Sequence, residues 1–125
     1  MGIVGGILLG LATLFTVSFV ITVAIYAAII TVKWIYNKVR DLIRNKHAKK
    51  VAVCDIQELA KKCKNTASLS ELETLANRGC THCTVGLDEN NNVIDDPECC
   101  YESKNYDAEV DRLINRTREG MVVFD

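Results

Sequence analysis

Apolar residues dominate the start of the chain, because residues 1–32 contain no Asp, Glu, Lys, Arg or His. A helix rises about 1.5 Å per residue, so about 20 apolar residues are enough to cross the hydrocarbon core of a bilayer. Residues 1–32 therefore predict one transmembrane anchor, with its best span over Leu9–Val32. A cleaved signal peptide is disfavoured, since the start lacks a basic residue and the apolar run is longer than such peptides carry.

The segment after the apolar run is basic and predicts how the anchor is oriented. Residues 33–50 contain seven Lys or Arg residues and one Asp. Cytoplasmic flanks carry such an excess, so we predict a single-pass membrane protein with its N-terminus outside and its C-terminal domain in the cytoplasm. The side chains expected at the membrane interface are Lys33, Trp34, Tyr36, Lys38, Arg40 and Arg44.

Hydrophobic periodicity predicts that residues 33–50 form a basic juxtamembrane helix. Ile35, Val39, Leu42 and Ile43 recur at helical spacing and form one apolar stripe. Such a helix can lie on an anionic leaflet. The alternative is that its charges only set the topology.

Three glycines in the apolar segment predict helix association. Gly2, Gly6 and Gly10 are four residues apart and form two overlapping G-x-x-x-G patterns on one helix face. Because such a face lets two membrane helices approach closely, a second copy or another membrane helix is a predicted partner. The alternative is that glycine is simply tolerated in a membrane helix.

Residues 51–125 predict a small cysteine-rich soluble domain made of helices and a short β-hairpin. The predicted fold class is therefore mainly α, with one N-terminal transmembrane helix followed by a small α+β domain. The predicted elements are a helix over 51–63, a helix from Ser68 that ends at Gly79, strands at Thr84–Leu87 and Asn92–Ile94, a helix over 106–118 and a strand at Met121–Phe124.

The six cysteines are the clearest chemical signal in this domain. From Cys80 they follow the pattern C-x2-C-x15-C-C. The two sulfurs of a C-x2-C turn can bind one ion, and a second pair across a hairpin completes a tetrahedral zinc site. Because adjacent cysteines tend to diverge, one of the last two can be replaced by another ligand. The predicted ligands are Cys80, Cys83, Cys99 and Cys100, with His82 or Cys54 as a substitute.

Three other states of the cysteines stay open. An outward-facing domain could form three disulfides, in any of 15 connectivities. The cysteines could also be unliganded buried thiols. A redox pair of Cys80 and Cys83 is disfavoured, because a redox C-x-x-C motif normally opens a helix and this one follows a helix end.

Charge and motifs limit the function. Residues 51–125 carry more acidic than basic residues, which disfavours nucleic acid as a partner. Two histidines in unrelated segments supply no nucleophile and base, so we predict that the protein is not an enzyme. The leading hypothesis is a membrane-anchored interaction or assembly protein with a zinc-stabilised domain and a soluble protein partner. The alternatives are an outward-facing, disulfide-stapled surface or envelope-type binding module, and a small pore or lysis effector.

Overall fold

The chain builds a five-stranded mixed β-sheet in the order β1-β4-β3-β2-β5. The computed structural model describes residues 25–62, 69–90, 93–94, 96–116 and 120–124. β1 is parallel to β4, and the other neighbouring strands are antiparallel. A 3-10 turn at Pro97–Cys99 precedes β4. The elements are β1 Ile25–Tyr26, α1 Val32–Asn45, β2 Lys50–Asp55, α2 Ile56–Lys62, α3 Leu69–Asn77, β3 His82–Leu87, β4 Cys100–Ser103, α4 Ala108–Asn115 and β5 Met121–Phe124.

The sheet overturns the predicted fold class, because the domain is α+β around a mixed sheet and not mainly α. The error is clearest at β2, where a helix was predicted over residues 51–63. Val51 to Cys54 are all buried, because β2 lies between β3 and β5 and both of its faces are covered. A short apolar run of this kind fits a buried strand as well as a buried helix. The helix begins only at Ile56.

Helices cover both faces of the sheet. α1 and α4 pack on one face, which we call the α1/α4 face, against β-strand residues such as Val53 and Phe124. α2 and α3 pack on the other, the α2/α3 face, against residues such as Val85 and Val123. Successive strand residues point to opposite faces, so Asp55 and His82 belong to the α1/α4 face.

Two sequence predictions are confirmed on the α1/α4 face. In α1 the side chains of Ile35, Val39 and Leu42 are buried, as the apolar stripe predicted. The helix begins after Thr31, whose hydroxyl accepts a hydrogen bond of 3.0 Å from the backbone N–H of Trp34; this satisfies one free N–H of the first turn. The predicted strand at Met121–Phe124 is β5.

The predicted transmembrane anchor and the single-pass localisation are wrong. Among the residues that the structure describes, every helix is too short or too polar to cross a bilayer. The last part of the predicted span instead joins the sheet: Ile25–Tyr26 is β1, and Ala27 and Ile30 are buried against the domain. Apolarity alone could not separate these residues from a membrane helix. The rest of that span and the three glycines of the predicted association face, Gly2, Gly6 and Gly10, lie outside the described residues.

The predicted hairpin is also different from the observed one. β3 contains the predicted strand Thr84–Leu87 but pairs with β4. Of the predicted second strand, Val93 makes a single bridge to Leu87, and Asn92 is outside the described residues. Of the described residues in this connection, Val93 and Ile94 thus lie antiparallel to β3, since the N–H of Ile94 also donates to the carbonyl of Gly86 at 2.9 Å.

Gly120 allows β5 to begin close to α2. Its φ is +81°, and a Cβ atom there would lie 2.7 Å from the backbone N of Leu59. Its carbonyl accepts a 2.8 Å hydrogen bond from the N–H of Asp55. Since both the dihedral angle and the space exclude a side chain, the junction of β2 and α2 depends on glycine at this position.

Candidate functional site

The structure does not bring the predicted zinc ligands together. Cys54, Cys80, Cys83 and Cys100 lie in the core of the α2/α3 face, whereas Cys99 lies in the core of the α1/α4 face. All five are buried thiols. Among the described residues, no three of these sulfurs lie within 4.8 Å of one another. Cys99 is therefore separated by the sheet from the other four cysteines, which share one core.

The predicted membrane-interface residues divide into two groups. Trp34 packs edge-on against Tyr101 with ring centroids 5.5 Å apart, and Tyr36 packs likewise on Phe124 at 5.8 Å. The Nζ atom of Lys38 lies 4.4 Å from the centroid of the Tyr101 ring. These side chains thus tie α1 to the sheet. The remaining three are exposed to solvent: Lys33, Arg40 and Arg44.

A different group of possible metal ligands lies at the end of β2 and β3. Asp55 and His82 are opposite each other in the antiparallel ladder. Asp111 reaches them from α4, which packs on the same face. One ligand atom from each of the three side chains lies within 4.8 Å of the other two. Strand register and helix packing therefore bring together residues that are distant in sequence.

Hydrogen bonds hold one side of the His82 ring in place. His82 is 1% exposed, and its Nδ1 lies 3.0 Å from the Oγ1 of Thr81. The Oγ1 of Thr81 is also 3.2 Å from the carbonyl of Ser103, to which the hydroxyl can donate. These contacts orient the ring so that Nε2 points away from Thr81.

The other ring nitrogen lacks a hydrogen bond. The Oδ1 atom of Asp111 is 3.3 Å from Nε2, close enough for an ion pair, but the geometry is not that of a hydrogen bond, and Nε2 is a buried polar atom without such a partner. Burial lowers the pKa of His82 below its ordinary value, against the opposing effect of Asp55 and Asp111. The ring therefore places a buried nitrogen without a hydrogen bond beside carboxylate oxygens.

The two carboxylates differ in their other contacts. Asp55 Oδ1 accepts a 3.2 Å hydrogen bond from the N–H of Glu58, which caps the start of α2. A carboxylate has a second oxygen, so this cap leaves Asp55 able to bind an ion. The Asp111 side chain is 35% exposed. The group therefore has a buried nitrogen on one side and an opening to solvent on the other.

Sequence reasoning found one member of this group and missed two. His82 was predicted as a substitute ligand, but for a zinc site formed by the cysteines. Asp55 and Asp111 carried no motif, and their spacing of 56 positions predicts nothing. The available signal was indirect: Asp55 ends a buried apolar run, where a polar side chain must find a partner.

An apolar edge lies beside this group. Among the described residues, the exposed large hydrophobic side chains are Ile25, Tyr26, Ile29 and Tyr106, which are 40–52% exposed. We call them the β1 edge patch. They are close because β1 pairs with β4 and Ile30 bridges Tyr106. The ring of Tyr106 also packs on His82, with centroids 4.4 Å apart.

Comparison with family models, curated proteins and solved structures finds no match to this chain.

Proposed function

We propose that this protein is a non-enzymatic interaction module that binds another protein through the β1 edge patch. The observation that carries the proposal is that the exposed large hydrophobic side chains of the described residues lie along one sheet edge. Isolated exposed hydrophobic residues are ordinary, but several of them at one edge are typical of an interaction site. Two of the four side chains are tyrosines, which are enriched among the residues that dominate binding energy.

The sheet order favours an extended partner segment. β1 is the terminal strand, so no described strand covers its outer side. On its inner side the chain is already fixed, because the N–H groups of Ala27 and Ile30 donate to the carbonyls of Glu102 and Asn105 at 2.8 and 2.9 Å. An edge held in this way can accept another chain as an added strand. The partner would supply an extended apolar segment along residues 25–29.

Site-specific photocrosslinking of the full chain in its host cells tests this proposal. A photoreactive phenylalanine analogue replaces Tyr26 in one variant and Asn37, an exposed residue of α1, in the matched control. We expect one defined protein adduct from position 26 and none from position 37. The adduct should disappear when Ile29→Asp is added, because a charge in the patch opposes apolar contact.

Two results would overturn the proposal. One is the same set of adducts from both positions, which would indicate nonspecific proximity. The other is a position-26 adduct that survives Ile29→Asp in a folded chain, verified by circular dichroism. Mass spectrometry of the adduct peptide shows whether the partner is a second copy of this chain or a different protein.

A further inference from the structure

The environment of His82 contains an unbalanced set of charges and lone pairs. Its Nε2 atom is buried without a hydrogen bond, and the carboxylates of Asp55 and Asp111 place acceptor oxygens within 4.8 Å of it and of each other. Buried polar atoms are normally paired, and the electron-rich atoms here face one another at close range. A cation between them removes both the repulsion and the missing contact.

The fixed orientation of the imidazole is what a metal site requires. A histidine ligand generally donates its second ring N–H to a nearby acceptor, which sets the tautomer and aims the other nitrogen. Here Nδ1 lies 3.0 Å from Thr81 Oγ1, and Thr81 is itself held by the carbonyl of Ser103. The orientation of the nitrogen that would bind the ion is therefore set in the metal-free protein.

We propose that Asp55, His82 and Asp111 bind one divalent transition-metal ion of the zinc class. One imidazole nitrogen with two carboxylate oxygens suits such ions, whereas magnesium and calcium favour oxygen ligands alone. A tetrahedral zinc ion with bonds of about 2.1 Å places its ligand atoms about 3.4 Å apart. The 3.3 Å separation of Nε2 and Asp111 Oδ1 fits this spacing.

The three side chains leave the ion with a free coordination position. Because Asp111 is 35% exposed and His82 is buried, that position faces solvent beside α4. A water molecule fills a fourth position of this kind in open zinc sites. The ion would also join the end of the β2–β3 ladder to α4, which otherwise meet there only through side-chain packing.

Metal binding by the full chain, freed of metal and then titrated, tests the proposal. We expect one Zn²⁺ per chain. Asp111→Asn should weaken binding about 10- to 100-fold, because it replaces an anionic ligand with a neutral one of the same shape. Glu109→Gln on the same helix is the matched control and should bind as the native chain does. The melting temperature of each variant without metal shows that it is folded.

Co²⁺ serves as a second probe, since its visible absorption reports the ligand type. We expect a cobalt spectrum without the intense near-ultraviolet band of a thiolate ligand. His82→Asn should remove the spectrum, and His47→Asn, a change in an exposed histidine, should preserve it. If His82→Asn does not fold, the Asp111→Asn comparison still decides the question.

Three results would overturn the proposal: no stoichiometric Zn²⁺, equal affinity in the native chain and Asp111→Asn, or a thiolate band with Co²⁺, which would place the ion at the cysteines.

Discussion

Cys99 and Cys100 are neighbours in the chain, yet their side chains lie in the cores of opposite faces of the sheet. Cys100 is the first residue of β4, and Cys99 ends the 3-10 turn before it. Adjacent residues at the start of a strand point in opposite directions. The pair therefore cannot serve one ion while the sheet is intact.

This arrangement predicts that Cys99 has no part in metal binding. Cys99→Ala should leave the zinc stoichiometry and affinity of the full chain unchanged, while lowering stability slightly through the small cavity that it creates. Isothermal titration with Zn²⁺ measures both variants. A loss of zinc in Cys99→Ala together with unchanged binding in Asp111→Asn would instead favour the four-cysteine site.

Gly120→Ala should be strongly destabilising. The new Cβ would meet backbone atoms, which cannot rotate away, and the φ of +81° adds left-handed strain. Together these effects predict a loss of about 2–4 kcal/mol in the free energy of unfolding, measured by urea denaturation.

Gly79→Ala is the matched control for this prediction. Its φ of +84° is similar, but its added Cβ would meet only the flexible end of Lys104, at 3.4 Å. We therefore expect a cost of about 1–2 kcal/mol from the dihedral angle alone. Equal losses in the two variants would show that the contact with Leu59 is relieved by backbone movement.

Thr84→Val should stabilise the protein. Thr84 is fully buried on the α1/α4 face, and its Oγ1 has no hydrogen-bond partner. Valine keeps the shape and the preference for a strand while removing an unpaired polar atom, so we expect a gain of about 1 kcal/mol in the free energy of unfolding.

Thr81→Val makes the same chemical change with the opposite expected sign. The Thr81 hydroxyl contacts His82 Nδ1, so its removal leaves that buried ring nitrogen unsatisfied, while the Ser103 carbonyl keeps its hydrogen bond from the backbone N–H of Thr81. Thermal denaturation of both variants should show a higher midpoint for Thr84→Val and a lower one for Thr81→Val. A lower midpoint in both would mean that Thr84 has a partner in solution.

Cys80 and Cys99 should react slowly with alkylating reagents in the folded chain. Burial raises the pKa of each thiol above its ordinary value, and the reactive species is the thiolate. Iodoacetamide labelling followed by mass spectrometry should show little modification of either residue at pH 8, and rapid modification in urea.

The same pKa shifts predict a pH effect on stability. The unfolded thiols ionise at a lower pH than the folded ones. The stability that comes from keeping the two buried thiols protonated is therefore complete below the unfolded pKa and is lost as pH rises through the folded pKa. The free energy of unfolding should fall on the alkaline side. In the iodoacetamide experiment, rapid labelling of Cys80 and Cys99 in the folded chain at pH 8 would contradict both predictions, because it would show that the two thiols are accessible.

Periodicity predicted the helices of the α1/α4 face because one side of each is exposed. In α1 the spacing of Ile35, Val39 and Leu42 separates a buried stripe from a charged surface. It failed at β2, since a central strand buried on both sides has no polar face to mark its period of two. The hydrophobic pattern also failed near residue 25. An apolar segment that forms the edge of a sheet there was predicted to be part of a membrane helix.

The candidate site could not be read from the sequence for a different reason. Asp55 and His82 meet through the register of β2 and β3, and Asp111 meets them through the packing of α4. Neither relationship leaves a fixed spacing along the chain. Sequence patterns identified the cysteines instead, because C-x2-C is a local motif and this group of ligands is not.

The contact between Tyr106 and His82 has a thermodynamic consequence. Tyr106 is 40% exposed, and the centroid of its ring lies 4.4 Å from that of the imidazole, so a ligand that positions either ring also positions the other. Coupling of this kind is reciprocal: whatever factor an ion at His82 adds to the affinity for a partner at Tyr106, the partner adds to the affinity for the ion.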